Sequence, residues 1–278
     1  MSFRFRICKN DTTTLLRKHF NATPMRVPDS SVQPLLIVAE KAGKTDKRGY
    51  LKHLLKGNPD VEPVIHDDAV ANVEIQKTRS MDWDIGAKLL DGFLQGFNLP
   101  GASVTAALAN AKTVSLAFQN VRRHWIDKNE LGSILNGKTV DLTHPSVGIF
   151  LGDDAHNMLM VTDVIVSNGI AINVEKSSDG SIDAKVPVLQ QIASDASAKV
   201  SVKKGGNNSI IFEGEDFLTF AFSCVRLELN PDTGVLGVGL TVITRESKTP
   251  GAAPEEVEVP QPVELDDDLF EPGLLEWD

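Results

Sequence analysis

Residues 132–139, GSILNGKT, fit the spacing G-x-x-x-x-G-K-[ST], in which a glycine turn and a lysine cradle nucleotide phosphates. That chemistry needs a strand before the loop and a helix after it. Here the charged, helix-like segment HWIDKNEL precedes the loop, and strand-like Val140–Leu142 with Pro145 follows. The match therefore reads as a coincidence of spacing, and an enzyme using Lys138 as the least supported function. Two acid–histidine fragments, His66-Asp67-Asp68 and Asp153-Asp154 with His156, carry metal-ligand atoms, but neither gains a well-spaced third ligand. The six histidines are scattered, and no nucleophile elbow or Cys/His signature is present. The expectation is a protein that is not an enzyme and needs no cofactor.

The two cysteines divide by context. Cys224 lies in an apolar strand-like run, where a thiol serves as a small core hydrophobe. Cys8 sits among Phe, Ile, Arg and Lys, where S-acylation would set a lipid chain beside a basic patch; a thiol with no role fits the same surroundings. Two thiols make no disulfide framework, and without a signal peptide the cytosol is the expected address. No window of 18 or more uncharged apolar residues encodes a membrane helix, which leaves a β-barrel route open.

Charge is the third chemical signal. Basic residues gather at Arg4, Arg6, Lys9, Arg17 and Lys18, and again at Lys41, Lys44, Lys47, Arg48, Lys52 and Lys56 against a single acid, Asp46. A solvated loop and helix face accounts for such a run as well as contact with lipid or nucleic acid does. The formal net charge is −10, and residues from Arg245 onward hold eleven acids and two bases, so the body to residue 244 is nearly neutral. An acidic tail on a neutral body would keep the whole chain from an anionic surface that the body alone could approach.

These residues need a scaffold, and the elements suggest a sheet. Asp11 offers an N-cap for a short helix to Phe20, and Val27–Val38 reads as a turn feeding a buried strand. Val70–Ile75 and Val114–Val121 are strand-like. Ile85, Leu89, Leu90, Phe93, Leu94 and Phe97 recur at helical spacing, a small-residue stretch covers Ala102–Ala111, and a helix is expected over His124–Leu135. Consecutive strands follow: Met158–Val166, a hairpin turn at Asn168-Gly169, and Ile170–Lys176. After a turn at Asp179-Gly180 come Ile182–Val188, Ala198–Lys203, Ser209–Phe212, Phe217–Leu229, a turn at Asp232-Thr233-Gly234, and Val235–Thr244. Alternation such as Ile170/Ile172/Val174 against Ala171/Asn173/Glu175 suits a half-buried sheet and a membrane hairpin equally.

The tail differs in kind. Residues 245–262 hold four of the tail's five prolines among dense acids and should be extended and accessible; Arg245 and Lys248 suit a trypsin-like protease, with a caspase-like or subtilisin-like one as the alternative. The stretch Leu265–Trp277 regains six large apolar residues in thirteen: Leu265, Leu269, Phe270, Leu274, Leu275 and Trp277. Anchors so spaced would dock in a groove of the body; a disordered tail is the plainer alternative.

The set of motifs resembles a known family. Val27–Val38 (VPDSSVQPLLIV) is similar to the V-P-x-x-x-x-x-P-L strand of gasdermins, Leu159–Ile170 (LMVTDVIVSNGI) to their V-T-x-V-x-x-x-x-I strand, and Phe212–Leu229 (FEGEDFLTFAFSCVRLEL) to their F-x-G-x-x-x-L-T-F-A-F strand. The short C-terminus resembles the microbial kind, bacterial or fungal. The resemblance implies an α+β fold, a twisted central antiparallel sheet with peripheral helices, ending in a short inhibitory tail. It implies a pore-forming domain over 1–244, a cleavable linker over 245–262 and an autoinhibitory peptide over 263–278. By the family's pattern a partner protease removes the inhibitor, and the body oligomerises on the inner membrane leaflet. Two regions, roughly 70–120 and 160–215, then become β-hairpins of a large barrel that kills the cell. Cys8 is the candidate for the palmitoylated cysteine of bacterial members. The expected partners are an activating protease, anionic lipids and copies of the chain, with no nucleic acid. A soluble β-rich lipid-binding or scaffold module with a partner-recruiting tail is the alternative.

Overall fold

Two runs dense in Val, Ile, Leu and Phe, residues 157–174 and 209–229, form the two longest strands, and every other strand is arranged around them. A computed structural model describes residues 22–41, 44–70, 74–75, 83–99, 114–174, 200–204 and 209–238. The short first helix, the small-residue stretch, the Asp179-Gly180 turn, the strand over 182–188 and the tail fall outside the described residues.

The strands are β1 (Thr23–Asp29), β2 (Leu36–Lys41), β3 (Lys44–Tyr50), β4 (Ile65–Ala69), β5 (Glu74–Ile75), β6 (Val114–Gln119), β7 (Arg122–Ile126), β8 (Asn157–Val174), β9 (Val200–Lys204), β10 (Ser209–Leu229) and β11 (Leu236–Val238). They make one 11-stranded sheet whose spine runs β1-β10-β8-β2-β3. Each recorded pairing is antiparallel, and β8 lies against β10 from Met158↔Leu227 to Asn173↔Ser209. On its other edge β8 takes three partners in turn: β2 at its start, β7 in the middle and β6 at its end.

Both faces of the spine are covered, which is why its sequence does not alternate cleanly. Ile37, Ala39, Met158, Met160, Val225 and Leu227 pack under helix α2 (Lys128–Leu135) and two 3-10 turns. Their neighbours Leu36, Val38, Leu159, Val161, Phe222 and Cys224 face the opposite side with Met25 and Val32. A strand buried on two sides reads as a continuous apolar run, as Leu35–Val38 does. For the same reason Ala171, expected on a polar face, is buried between flanking strands.

Helix α1 (Trp83–Gly96) covers the far half of the sheet. Leu90, Phe93, Leu94 and Phe97 form an i, i+3, i+4, i+7 stripe, and all four are buried against Phe118, Ile170, Phe212 and Phe220. Phe118 and Phe220 stack at 4.4 Å, and Phe93 meets Phe97 and Phe118 edge-on. Each such ring removed from water contributes about 2–3 kcal/mol, so truncating Phe93, which meets two of the other rings, would damage this half. The helix stops because Asn98 adopts φ +59°, with Leu99 N donating to Leu94 O and Asn98 N to Gln95 O at 2.8 Å each.

Four expectations are corrected. Asn168-Gly169 is not a hairpin: β8 runs straight through it, because Gly169 pairs with Gln119 on one side and Glu213 on the other. A type I′ turn needs positive φ at both central residues, and neither residue has it. The expected strands 209–212 and 217–229 are one strand, β10, interrupted by a bulge. The helix expected from His124 starts only at Lys128, since residues 122–126 pair with β4 and β8 as β7; Asp127 caps it, accepting from Asn129 N at 2.7 Å and Glu130 N at 3.1 Å. The strand expected from Val70 does not begin there: Val70 follows β4 (Ile65–Ala69), 71–73 lie outside the described residues, and Glu74–Ile75 are β5. The turn at 232–234 is present, with Gly234 at φ +72° packed on Val140 O, and β11 follows.

Candidate functional site

The two regions expected to become membrane hairpins are neighbours in the sheet. Strand β6, from the first region, pairs with the end of β8 through contacts such as Leu116↔Ile172 and carries β5 on its other edge, and β9 and β10 complete that half. Helix α1, also from the first region, lies across these strands. Described residues of both regions thus meet in one half of the sheet, while residues 160–167 of the second region continue into the other half and the end of α1 rests on β1.

The halves meet at a crease that crosses three adjacent strands. Between β6 and β7 the chain breaks at Asn120, in the left-handed region at φ +52°. On β10, residues 214–217 stand opposite the single residue Asn168 of β8. Asn168 spans the gap: its Oδ1 accepts from Asn120 Nδ2 at 2.9 Å, and its Nδ2 donates to Gly214 O at 3.3 Å. Beside it, buried Ser167 donates to Gln119 O at 2.6 Å and accepts from Gly169 N at 3.2 Å.

On the body side of the crease lies a polar network that the sequence did not announce. Arg123 on β7 grips Asp163 on β8 with two atoms, Nε lying 3.0 and 2.9 Å from the two carboxylate oxygens and Nη2 also donating. Burial pushes the Asp163 carboxyl up, against the pull of Arg123. Across β4, Asp68 accepts from Trp125 Nε1 at 2.7 Å, His66 stacks on the Trp125 ring at 4.2 Å, and Arg122 donates to Asp67 at 2.6 Å. That hydrogen bond holds Asp67 below the usual carboxylate range. The His66-Asp67-Asp68 fragment is therefore the partner of the Arg122-Arg123-His124-Trp125 run. Among the described residues no group of three or more His, Cys, Asp or Glu could hold a metal ion. The only signal available in the sequence was the complementary charge of the two runs.

The basic segment 41–56 forms the β2–β3 hairpin and the 3-10 turn after it. Lys41 pairs with Asp154, Lys47 with Asp29 and Arg48 with Asp46, whereas Lys44, Lys52 and Lys56 are exposed. At Asp29 burial favours the neutral form, but hydrogen bonds from Lys47 and Ser31 and the Lys47 charge outweigh it and hold the carboxyl low. Cys224 is buried, and burial pushes its thiol up to about 12. Residues 132–137 belong to α2 and the turn after it, and Thr139 bridges to Val235, so a helix stands where a phosphate loop needs a strand. Arg4, Arg6, Cys8, Lys9, Arg17, Lys18, Arg245, Lys248 and the anchors Leu265, Leu269, Phe270, Leu274, Leu275 and Trp277 lie outside the described residues. No helix among the described residues is long and apolar enough to cross a membrane, which says nothing of strands.

Residues 25–235, the crease and the spine included, match the model of the Bacterial Gasdermin Family. The chain belongs to the bacterial gasdermins. It is 28% identical over 247 residues to a gasdermin of Vitiosangium sp. (strain GDMCC 1.1324), covering 88% of each chain. To a gasdermin of a Desulfuromonadales bacterium it is 25% identical over 222 residues, covering 79% of this chain and 82% of the other. The structure of a bacterial gasdermin from Bradyrhizobium tropiciagri superposes with a TM-score of 0.55 at 18% identity, over 83% of this chain and 91% of that one. Among its described residues the chain is a strand-rich antiparallel sheet with few helices, consistent with the gasdermin-like fold that the resemblance implied. At the level of the family, the assignment supports a pore-forming effector and not an enzyme.

Proposed function

We propose that this chain is a pore-forming cell-death effector held inactive by its own C-terminus. Residues 1–244 are the pore-forming body, 245–262 a linker open to proteolysis, and 263–278 an inhibitory peptide anchored by Leu265, Leu269, Phe270, Leu274, Leu275 and Trp277. The observation that carries the reading is the match of residues 25–235 to the bacterial gasdermins. Two further features support it. The tail holds nearly all the net negative charge and would be repelled by anionic lipid, and the freed body is nearly neutral with exposed lysines at 44, 52 and 56. The described strands of the first assigned region, β5 and β6, lie beside the end of β8, which belongs to the second.

In this reading a protease cuts the linker, with Arg245 and Lys248 as candidate sites. The body, inactive in the cytoplasm, then binds the inner leaflet through its basic residues, with an acyl chain on Cys8 as a second anchor. Copies assemble, α1 gives up its helix, and the far half of the sheet extends into a transmembrane barrel, a switch between two packings of one sequence.

The test is dye release from phosphatidylglycerol-rich vesicles by a chain ending at residue 244 against the full chain. The truncated chain should leak dye at concentrations where the full chain does not. Equal release from both sinks the inhibitory role of the tail.

A further inference from the structure

The Asn168-Gly169 pair carries a turn signal that β8 does not use, and the crease explains what the pair does instead. The ladder between β8 and β10 is interrupted where residues 214–217 bulge from β10, and β6 gives way to β7 at the same level. Backbone pairing alone would leave the two halves joined at this level by β8 with no ladder partner at Asn168. The Asn168 side chain bridges the interruption on both sides at once, to Asn120 and to Gly214 O. Gly169 is needed beside it, since a Cβ there would lie 2.8 Å from Phe212 O.

Helix α1 closes the crease from one face. A Cβ on Gly214 would lie 2.3 Å from Phe97 Cε1, so the ring occupies the space that glycine leaves. One residue earlier, a Cβ on Gly96 would lie 2.8 Å from Leu218 Cδ1 and 2.9 Å from Pro28 O, so the helix end is seated on β1 and on the far side of the same bulge. The helix cannot leave the sheet without uncovering the bulge that Asn168 bridges.

We infer that the Asn120–Asn168–Gly214 bridge, covered by Phe97, is a clasp. It fixes the register and angle of the far half of the sheet against the body, and its opening lets that half move as a unit. The role in pore formation rests on the reading above; the clasp itself does not. Its opening should appear as local exchange confined to one half, because side-chain bridges at a ladder interruption set a subglobal opening rather than global stability.

The experiment is amide hydrogen exchange on the uncleaved full chain, without membrane, for wild type, Asn168→Ala and Asn120→Gly. The glycine keeps the positive φ of position 120 and removes one link only, so it guards against an Asn168→Ala chain that fails to fold. In Asn168→Ala, amides of 114–119, 169–174 and 209–213 should exchange on the order of ten-fold faster, with 36–41 and 157–161 unchanged. Asn120→Gly should produce the same pattern at about three-fold. Acceleration of both halves alike, or of neither, overturns the clasp. A parallel arm measures dye release by the same variants ending at residue 244, where the lag before release should shorten. If no truncated chain releases dye, the pore reading fails, and the exchange pattern still decides for or against the clasp.

Discussion

The Phe97 ring stands where a side chain on residue 214 would have to be, with Phe97 Cε1 2.3 Å from the position of a Cβ on Gly214. A helix from one part of the sequence is thereby keyed to a bulge more than a hundred residues away, and the key is the absence of one carbon.

Gly214→Ala should displace Phe97 and disturb the aromatic cluster with Phe93, Phe118 and Phe220. Overpacking of this kind costs about 1–3 kcal/mol. Chemical denaturation should show a lowered midpoint with an unchanged slope; a midpoint within error of wild type would mean that the ring has room to move.

Arg123→Ala should be the more damaging change on the body side. Asp163 is only 8% exposed, and losing its partner leaves a carboxyl with burial pushing it toward the neutral form. The loss should be on the order of 3 kcal/mol, the low end for breaking a buried pair, because Arg123 is itself partly exposed. Asp163→Asn should cost less, since it leaves no buried negative charge. The reverse order in thermal melts would contradict this account of the pair.

Acid should weaken the ion pair by which Asp29 of β1 holds Lys47 of β3. The folded Asp29 carboxyl lies below its ordinary value, so its contribution is present above the unfolded pKa of about 4 and is lost as pH falls through the lower folded value. Between pH 5 and pH 2, to order of magnitude, wild type should therefore lose more stability than Asp29→Asn. Parallel pH curves for the two proteins would show that the Lys47 pairing contributes nothing.

Cys224 should be unreactive while the chain is folded, since burial and a thiol pushed to about 12 both withhold the thiolate. In a Cys8→Ser background, thiol labelling should be on the order of a thousand-fold slower in buffer than in denaturant. Rapid labelling in buffer would place the β8–β10 spine among the readily opening parts.

Local physics explains what the sequence disclosed. The stripe at Leu90, Phe93, Leu94 and Phe97, the doubly buried run at the start of β2 and the apolar setting of Cys224 depend on near neighbours, and all were legible. The Asn-Gly turn and the helix start at His124 were misread because pairing with distant strands overrode local preference. Arg123 and Asp163 are 40 residues apart, and nothing in either stretch names the other. The crease was illegible for the same reason: it exists only where the β6–β7 break and the β10 bulge flank the same point of β8.

The central claim, that the tail restrains a pore, is tested most directly within one molecule. A recognition sequence for a site-specific protease, placed between Val257 and Glu258, would allow the linker to be cut in the presence of dye-loaded, phosphatidylglycerol-rich vesicles. Dye should stay inside until the protease is added, and its release should follow the appearance of the cut chain. Complete cleavage with no more release than from the uncut chain would contradict the account.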